Sequence, residues 1–223
     1  MITGTCNSFT SASIPTVRGI SLWNGYIVKC IELTVEKFDE ENFKAECRTL
    51  EHLKGSGLTA QMRLYFKSPQ FAYIIMDKLP GVTLSSLLEE KQQLSLQDWE
   101  NLLERVHEMH MYGIVHGDLH RKNIIVEESP LLGSGKTFYL VDFEHSGRAF
   151  LDNVPIVVAG ASKTSTYCTD YDRLHYSVRG FIACEFGKEY WTDVCELFRK
   201  FKSRDVGLSR GLHNSVTPNL KFY

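Results

Sequence analysis

The stretch that most constrains this chain is Val115–Asn123, which reads VHGDLHRKN, together with Val141–Glu144, which reads VDFE. An acid stands at Asp118, an amide follows five residues later at Asn123, and a second acid stands at Asp142. A strand end, a tight loop and a returning hairpin can bring three such side chains to one point. Carboxylate and amide oxygens are hard ligands of the kind that Mg²⁺ prefers. The spacing therefore predicts that these oxygens converge around a divalent ion.

The same stretch resembles the protein kinase family, whose members carry H-R-D-x-x-x-x-N followed by D-F-G. Here Gly117 stands in place of the arginine and Glu144 in place of the last glycine. The HGDLH and DFE spellings look more like the aminoglycoside and choline kinase branch, and the small atypical kinases, than like standard Ser/Thr kinases. The resemblance implies an α+β, bilobal protein-kinase-like fold, with a small antiparallel-sheet N-lobe and a helical C-lobe.

The resemblance also implies a division of the chain. The N-lobe, an antiparallel sheet plus one helix, would take residues 1–79, and the mainly helical C-lobe would take residues 80–223. Within the C-lobe, the catalytic loop would be residues 115–123 and the metal-binding hairpin residues 123–144.

Roles for individual side chains follow from the resemblance. Asp118 would orient the acceptor hydroxyl and accept its proton, and His120 would contact the γ-phosphate of ATP. Asn123 and Asp142 would hold Mg²⁺. Glu144 would either add a metal ligand or make the turn more rigid.

A β-hairpin is predicted early in the chain, because Asn24-Gly25 lies between two apolar runs and is a strong type I′ turn signal. Period-two alternation then puts Lys29 on one face with Ile27 and Ile31. One interpretation is an edge-strand lysine whose amine reaches water. The other, implied by the resemblance, is the lysine that binds the α- and β-phosphates.

A helix is predicted over residues 39–54, with an apolar stripe that turns Glu46 inward. A buried charge needs a partner of opposite sign, because leaving it unpaired is costly. Lys29 is the natural candidate, and the pair would match the lysine–glutamate ion pair of kinases.

The nucleotide side of the expected site rests on the resemblance. Gly4 is the surviving glycine of a degenerate glycine-rich loop, although a polar N-terminal arm is an equal alternative. Met76 would be the gatekeeper, and Asp77 to Leu79 would meet the adenine base as the hinge.

The second half of the chain is predicted to be helical. Ser95 to Asp98 resembles a capping box at the start of a long helix that runs to Gly113. His107 and His110 lie near its apolar stripe, and we interpret them as satisfied or surface histidines rather than metal ligands. Family kinases carry an aspartate that braces the catalytic loop backbone, and Asp170 is favoured over Asp172 for that place.

Composition sets further expectations. The net charge of −2 gives no sign of a nucleic-acid partner, and no apolar run reaches membrane-spanning length. The six cysteines form no CxxC pair, which favours buried thiols in a reducing compartment. We therefore expect an intracellular, cytoplasmic protein, with the nucleus also open.

The expected function is ATP- and Mg²⁺-dependent transfer of the γ-phosphate to a hydroxyl. A protein acceptor, including the chain itself, is favoured because few residues follow Asp142 to build a small-molecule pocket. A small-molecule kinase of the aminoglycoside or choline type is one alternative, and an ATP-binding pseudokinase scaffold is the other. A protein partner that completes or regulates the site is also open.

Overall fold

A computed structural model describes residues 19–33, 40–128, 135–148, 156–157, 164–165 and 167–212. The chain divides into two compact units, Met1–Phe38 with Met62–Lys78, and Asp39–Gln61 with Leu79–Tyr223. The architecture is α+β, with an antiparallel sheet in the N-terminal region and mainly helices in the C-terminal region, as predicted.

The first unit is one antiparallel sheet in the order β1-β2-β4-β3. Its strands are β1 Gly19–Trp23, β2 Tyr26–Glu32, β3 Met62–Lys67 and β4 Phe71–Asp77. The β1–β2 turn has φ of 49° at Asn24 and 83° at Gly25, the left-handed pair that a type I′ turn requires. The predicted hairpin is confirmed.

Side chains of this sheet alternate between its two faces. One face carries a buried cluster that includes Trp23, Val28 and Tyr73. Lys29 lies in the opposite row, in register with Ile20 of β1 and Ile74 of β4. The predicted alternation around Lys29 is therefore the one that the strand adopts.

The second unit contains five α-helices and one 3-10 helix, Arg121–Asn123, among its described residues, together with short strands. Its helices are α1 Glu40–His52, α2 Leu84–Glu89, α3 Leu96–Met111, α4 Tyr167–Glu185 and α5 Lys188–Leu212. Its strands are β5 Val82–Thr83, β6 Ile114–Val115, β7 Ile124–Glu128, β8 Lys136–Leu140, β9 Gly147–Arg148, β10 Ile156–Val157 and β11 Thr164–Ser165.

Helix α3 forms the centre of the second unit. The Ser95 side chain and the Asp98 backbone and carboxylate make the reciprocal bonds of a capping box, as the sequence predicts. Its apolar residues from Trp99 to Met109 are fully buried, and the helix packs against α5 and β8. The indole N–H of Trp99 donates to the hydroxyl of Tyr190 on α5 at 2.8 Å, which satisfies the polar atom of the largest buried side chain.

Two small sheets flank the loop between β6 and β7. β5, β7 and β8 form an antiparallel sheet, and β6 pairs with β9. Gly81 enters β5 with φ of 97°, and a Cβ there would lie 2.1 Å from the carbonyl oxygen of Val126. Only glycine allows the chain to pass β7 so closely.

Helix α1 groups with the second unit, whereas the predicted division placed it with the sheet. The reason is a set of bonds to the second unit: Thr49 Oγ1 and Ser146 Oγ lie 2.7 Å apart, and His52 Nε2 lies 3.0 Å from the carbonyl oxygen of Tyr112. The segment after α1 is also held, because the N–H of Leu140 donates to the carbonyl of Leu58.

Across the residues placed by the structure, no helix has both the length and the apolar character that a membrane crossing needs.

Candidate active site

The loop after β6 brings Asp118 to the candidate site through a glycine. Gly117 has φ of 80°, and a Cβ at this position would lie 2.1 Å from the carbonyl oxygen of His145. A side chain is therefore excluded on both conformational and steric grounds. The glycine that replaces the kinase arginine is required by the way this loop packs on the segment after Asp142.

Asp118 is held from three sides. Arg173 Nη1 on α4 donates to Asp118 Oδ1 at 2.5 Å, and His120 Nε2 lies 3.7 Å from Oδ2. Asn123 Nδ2 donates to the Asp118 backbone carbonyl at 3.1 Å. The carboxylate is one-third exposed, so Oδ2 remains open to a reacting group.

Asp142 follows β8 in a left-handed conformation, with φ of 68°. Its neighbour Val141 is fixed on both sides: its N–H donates to the carbonyl of Asn123 at 3.0 Å, and its carbonyl accepts from His116 Nε2 at 2.9 Å. Burial lowers the pKa of His116, which keeps the ring neutral with its proton on Nε2. These bonds place Asn123 and Asp142 on adjoining backbone segments, as the hairpin prediction requires.

Three carboxylates meet next to this hairpin. Oxygen atoms of Glu46, Asp142 and Glu144 all lie within 4.8 Å of one another, with Glu46 buried and the other two half-buried. The donor set is all oxygen, which fits a hard divalent cation such as Mg²⁺.

Glu46 therefore joins the candidate metal site beside the predicted Asp142, and Glu144 lies close enough for the metal-ligand alternative that the sequence left open. The predicted pairing of Glu46 with Lys29 stays a prediction, since the two residues belong to different units. The helical period could place Glu46 inward, but nothing local to the sequence indicates that it lies beside Asp142 and Glu144.

The carboxylate of Asp170 on α4 holds the backbone of the loop at residues 116 and 117. Its Oδ2 accepts from the backbone N–H of His116 at 2.8 Å, and its Oδ1 accepts from that of Gly117 at 2.9 Å. The alternative residue, Asp172, pairs with Lys202 at the surface instead. Asp170 thus lies where the family's bracing aspartate was expected.

The residues proposed for nucleotide contact lie elsewhere in the chain. Met76 and Asp77 end β4, and Leu79 follows it. The Asp77 carboxylate accepts two bonds from Arg63, each 2.7 Å long. Gly4 lies outside the described residues.

Arg173 is the site residue that the sequence did not predict. It lies three residues after Asp170, one turn along α4, so both side chains can face the same loop. The three-residue spacing could have indicated that Arg173 faces the loop, but only if the contact between Asp170 and Gly117 were already known.

Comparison with known proteins bears on this geometry. The sequence model of the family described as Protein kinase domain matches residues 16–168. Calcium/calmodulin-dependent protein kinase type 1 of Caenorhabditis briggsae is 32% identical over 104 residues, 45% of this chain and 29% of that protein.

Two further relatives have other names. Dual specificity protein kinase TTK of Mus musculus is 29% identical over 107 residues, 46% of this chain and 12% of that protein. A probable bifunctional tRNA threonylcarbamoyladenosine biosynthesis protein of Thermoplasma acidophilum is 30% identical over 115 residues, 52% of this chain and 20% of that protein. The matches cover less than a third of each relative's length.

Proposed function

The chain belongs to the protein kinase family, and we propose that it is an ATP- and Mg²⁺-dependent phosphotransferase that acts on a hydroxyl group. The observation that carries this proposal is the arrangement of Asp118 and Asn123 in one loop, beside the carboxylate cluster of Glu46, Asp142 and Glu144. A proton acceptor and a set of hard oxygen ligands are the groups that phosphoryl transfer from ATP needs.

Asp118 is the proton acceptor in this proposal. Its Oδ1 is engaged by Arg173, so Oδ2 takes the proton of the acceptor hydroxyl. The acceptor oxygen then bonds to the γ-phosphorus as the bond between that phosphorus and the oxygen of ADP breaks. His120, whose Nε2 lies 3.7 Å from Oδ2, is proposed to donate to the transferring phosphoryl group.

Asp142 and Asn123 would hold Mg²⁺, with Glu46 and Glu144 available as further ligands. The ion would neutralise charge on the phosphate oxygens and keep them in position. Lys29 is proposed to bind the α- and β-phosphates, and Met76 and the backbone from Asp77 to Leu79 to form the adenine side. Gly4 is proposed as part of the loop over the phosphates.

A protein is the proposed acceptor. Two of the relatives are named protein kinases, and the family description is that of a protein kinase domain.

A pseudokinase scaffold is the second candidate, favoured by the ion pair that Arg173 makes with Asp118, the proposed proton acceptor. Because Cys30, Cys47, Cys184 and Cys195 are free thiols, we also propose an intracellular location.

Transfer of labelled phosphate from ATP tests the proposal. The purified protein is incubated with γ-labelled ATP, Mg²⁺ and either a mixed protein acceptor or a panel of small alcohols. We expect Mg²⁺-dependent labelling of protein that Asp118→Asn abolishes. Asp142→Asn should weaken the Mg²⁺ dependence of ATP binding, and asparagine tolerates the left-handed backbone at this position.

Asp172→Asn is the matched control, since it makes the same change in an exposed α4 ion pair. Stabilisation by ATP, measured as a shift in Tm with and without Mg²⁺, reports binding separately from turnover. Metal-dependent binding without transfer to any acceptor favours the scaffold, and full activity in Asp118→Asn contradicts the proposed role of that residue.

A further inference from the structure

Four ionisable side chains from three helices meet in the interior of the second unit. His107 and His110 come from α3, Asp170 from α4 and Asp205 from α5. All four are buried, and His110, Asp170 and Asp205 have no exposed surface. Buried ionisable groups are costly unless they are paired and hydrogen-bonded.

Hydrogen bonds link the four in a line. His107 Nδ1 bonds to Asp205 Oδ1, and His110 Nδ1 lies 2.5 Å from Asp205 Oδ2. On the other side of the same ring, His110 Nε2 lies 3.0 Å from Asp170 Oδ2. His110 thus lies between two carboxylates and contacts one with each ring nitrogen.

The protonation of His110 follows from donor counting. An ionised carboxylate only accepts hydrogen bonds, so a ring nitrogen that faces it must carry a hydrogen. Both nitrogens of His110 face carboxylates, and the ring is therefore the doubly protonated imidazolium. Its positive charge lies between the negative charges of Asp170 and Asp205, where each bond is charge-assisted.

The line of bonds ends on the catalytic loop. Asp170 accepts from His110 and from the backbone N–H groups of His116 and Gly117, which immediately precede Asp118. A shift of the Asp170 carboxylate would therefore be transmitted to the backbone that carries Asp118. His110 fixes the direction of that carboxylate, and Asp205 fixes His110.

We propose that Asp205 of α5 is a positioning residue for the catalytic loop, which it acts on through His110 and Asp170. The role of the loop in phosphoryl transfer rests on the proposed function, but the effect of Asp205 on the loop backbone does not depend on it. Asp205 lies beyond residues 16–168, the part of the chain that the family model matches. The C-terminal helix thereby supplies part of the support for a site formed by the matched region.

The electrostatics agree with the geometry. Burial alone lowers the pKa of His110, but the two flanking carboxylates outweigh it and raise that pKa to about 9. Burial likewise opposes the charged form of Asp205, but His110 and the other neighbours of this carboxylate together outweigh burial and lower the pKa of Asp205.

One further titratable side chain, that of Tyr171, borders this cluster. The ring of Tyr171 packs edge-on against His110, and Tyr171 also lies beside Asp205. Arg204, the residue before Asp205, pairs with Glu104 at the surface. Burial and Asp205 raise the pKa of Tyr171, so its hydroxyl is neutral. Tyr171 therefore adds no charge to the cluster, and the positive charge between the two buried carboxylates is that of the His110 imidazolium.

Amide hydrogen exchange tests the proposal in the 223-residue chain at pH 7. In Asp205→Asn, His110 loses one carboxylate acceptor, and we expect the N–H groups of His116 and Gly117 to exchange at least about tenfold faster, the ratio that corresponds to about 1.4 kcal/mol. Amides of Leu102 and Leu103, inside α3, serve as the reference for global unfolding. Asp172→Asn is the matched control and should leave both sets unchanged.

Exchange that rises equally at all four amides, or at none, overturns the proposal, because Asp205 would then contribute only to overall stability or to nothing. Asp205→Glu should restore protection of the loop amides. If Asp205→Asn does not fold, the ¹⁵N chemical shifts of the His110 ring in the unmodified protein replace the exchange test. Two protonated ring nitrogens at pH 7 support the proposal, and a neutral ring overturns it.

Activity gives a separate readout. If the protein transfers phosphate, Asp205→Asn should lower kcat while leaving KM for ATP unchanged, and Asp205→Glu should recover kcat. If the unmodified protein transfers none, the proposed function fails, and the exchange data still decide whether Asp205 positions the loop.

Discussion

The guanidinium of Arg173 donates to Oδ1 of Asp118 at 2.5 Å, so one oxygen of the proposed proton acceptor is directed by a cation on α4. We predict that Arg173→Gln lowers kcat about tenfold by releasing that oxygen, a change of about 1.4 kcal/mol in the activation free energy. Stability should change by less than about 1 kcal/mol, because both side chains are partly exposed.

Steady-state kinetics and urea unfolding check this prediction. Arg179→Gln, on the exposed surface of the same helix, is the control and should change neither quantity. A rise in kcat in Arg173→Gln would mean that Arg173 restrains Asp118 rather than orients it.

Replacement of Gly117 by alanine should destabilise the fold by more than the conformational cost alone. Its positive φ costs an alanine about 1–2 kcal/mol, and the Cβ would lie 2.1 Å from the carbonyl oxygen of His145. We expect a total loss of about 3 kcal/mol or more in the free energy of unfolding.

Gly113→Ala is the matched control, since Gly113 has a similar φ of 75° with nothing within 4 Å of its Cβ position. It should show the conformational cost alone. Equal free energies of unfolding for the two variants would contradict a close approach of the loop to His145.

Stability should depend on pH with a maximum near pH 6.5. The pKa of His110 is raised from 6.5 to about 9 in the folded state, so its contribution is complete below pH 6.5 and is lost as the pH rises to about 9. The full difference corresponds to about 3 kcal/mol. Burial lowers the pKa values of His116 and His175, so their contributions are lost as the pH falls below 6.5.

Urea unfolding at intervals from pH 5 to 9 measures this profile. His110→Gln should remove most of the decline above pH 6.5 and leave the acid side intact. A flat profile between pH 6.5 and 9 in the unmodified protein would show that His110 is not held as an imidazolium.

A buried bond between Thr49 and Ser146 connects α1 to the segment that carries two of the clustered carboxylates. Thr49→Val keeps the shape but leaves the Ser146 hydroxyl without this partner, at a cost of about 1–2 kcal/mol. Because Glu46 lies one turn before Thr49, we also expect a higher Mg²⁺ concentration to be needed for stabilisation by ATP.

Thr59→Val provides the comparison, since the buried Thr59 hydroxyl makes no hydrogen bond in the structure. That variant should be neutral or slightly stabilised. Melting curves with ATP over a series of Mg²⁺ concentrations report both effects. An unchanged Mg²⁺ dependence in Thr49→Val would separate α1 from the metal site.

Local signals in the sequence predicted much of this structure. Asn24-Gly25 defines its turn through backbone conformation alone, and Ser95 with Asp98 defines the start of α3 through its own hydrogen bonds. Asp118 and Asn123 could be linked because they share one short loop. Each of these relationships spans only a few residues, so the pattern contains the necessary information.

Relationships between distant elements were not predictable in this way. Arg173 meets Asp118, and Asp205 meets His110, only because particular turns of α3, α4 and α5 face one another. Helical periodicity indicates which face is apolar, but it does not give the register of one helix against the next. The two-residue strands β9 to β11 were missed for a simpler reason, since alternation cannot be detected in so short a segment.

The position of Asp205 also bears on how this protein can be shortened. A fragment that stops at residue 168, where the family match ends, would expose the face of α3 that α5 covers and would leave His107 and His110 without their carboxylates. We expect such a fragment to aggregate on expression, whereas one that retains α5 through Asp205 keeps the acceptors that these histidines require.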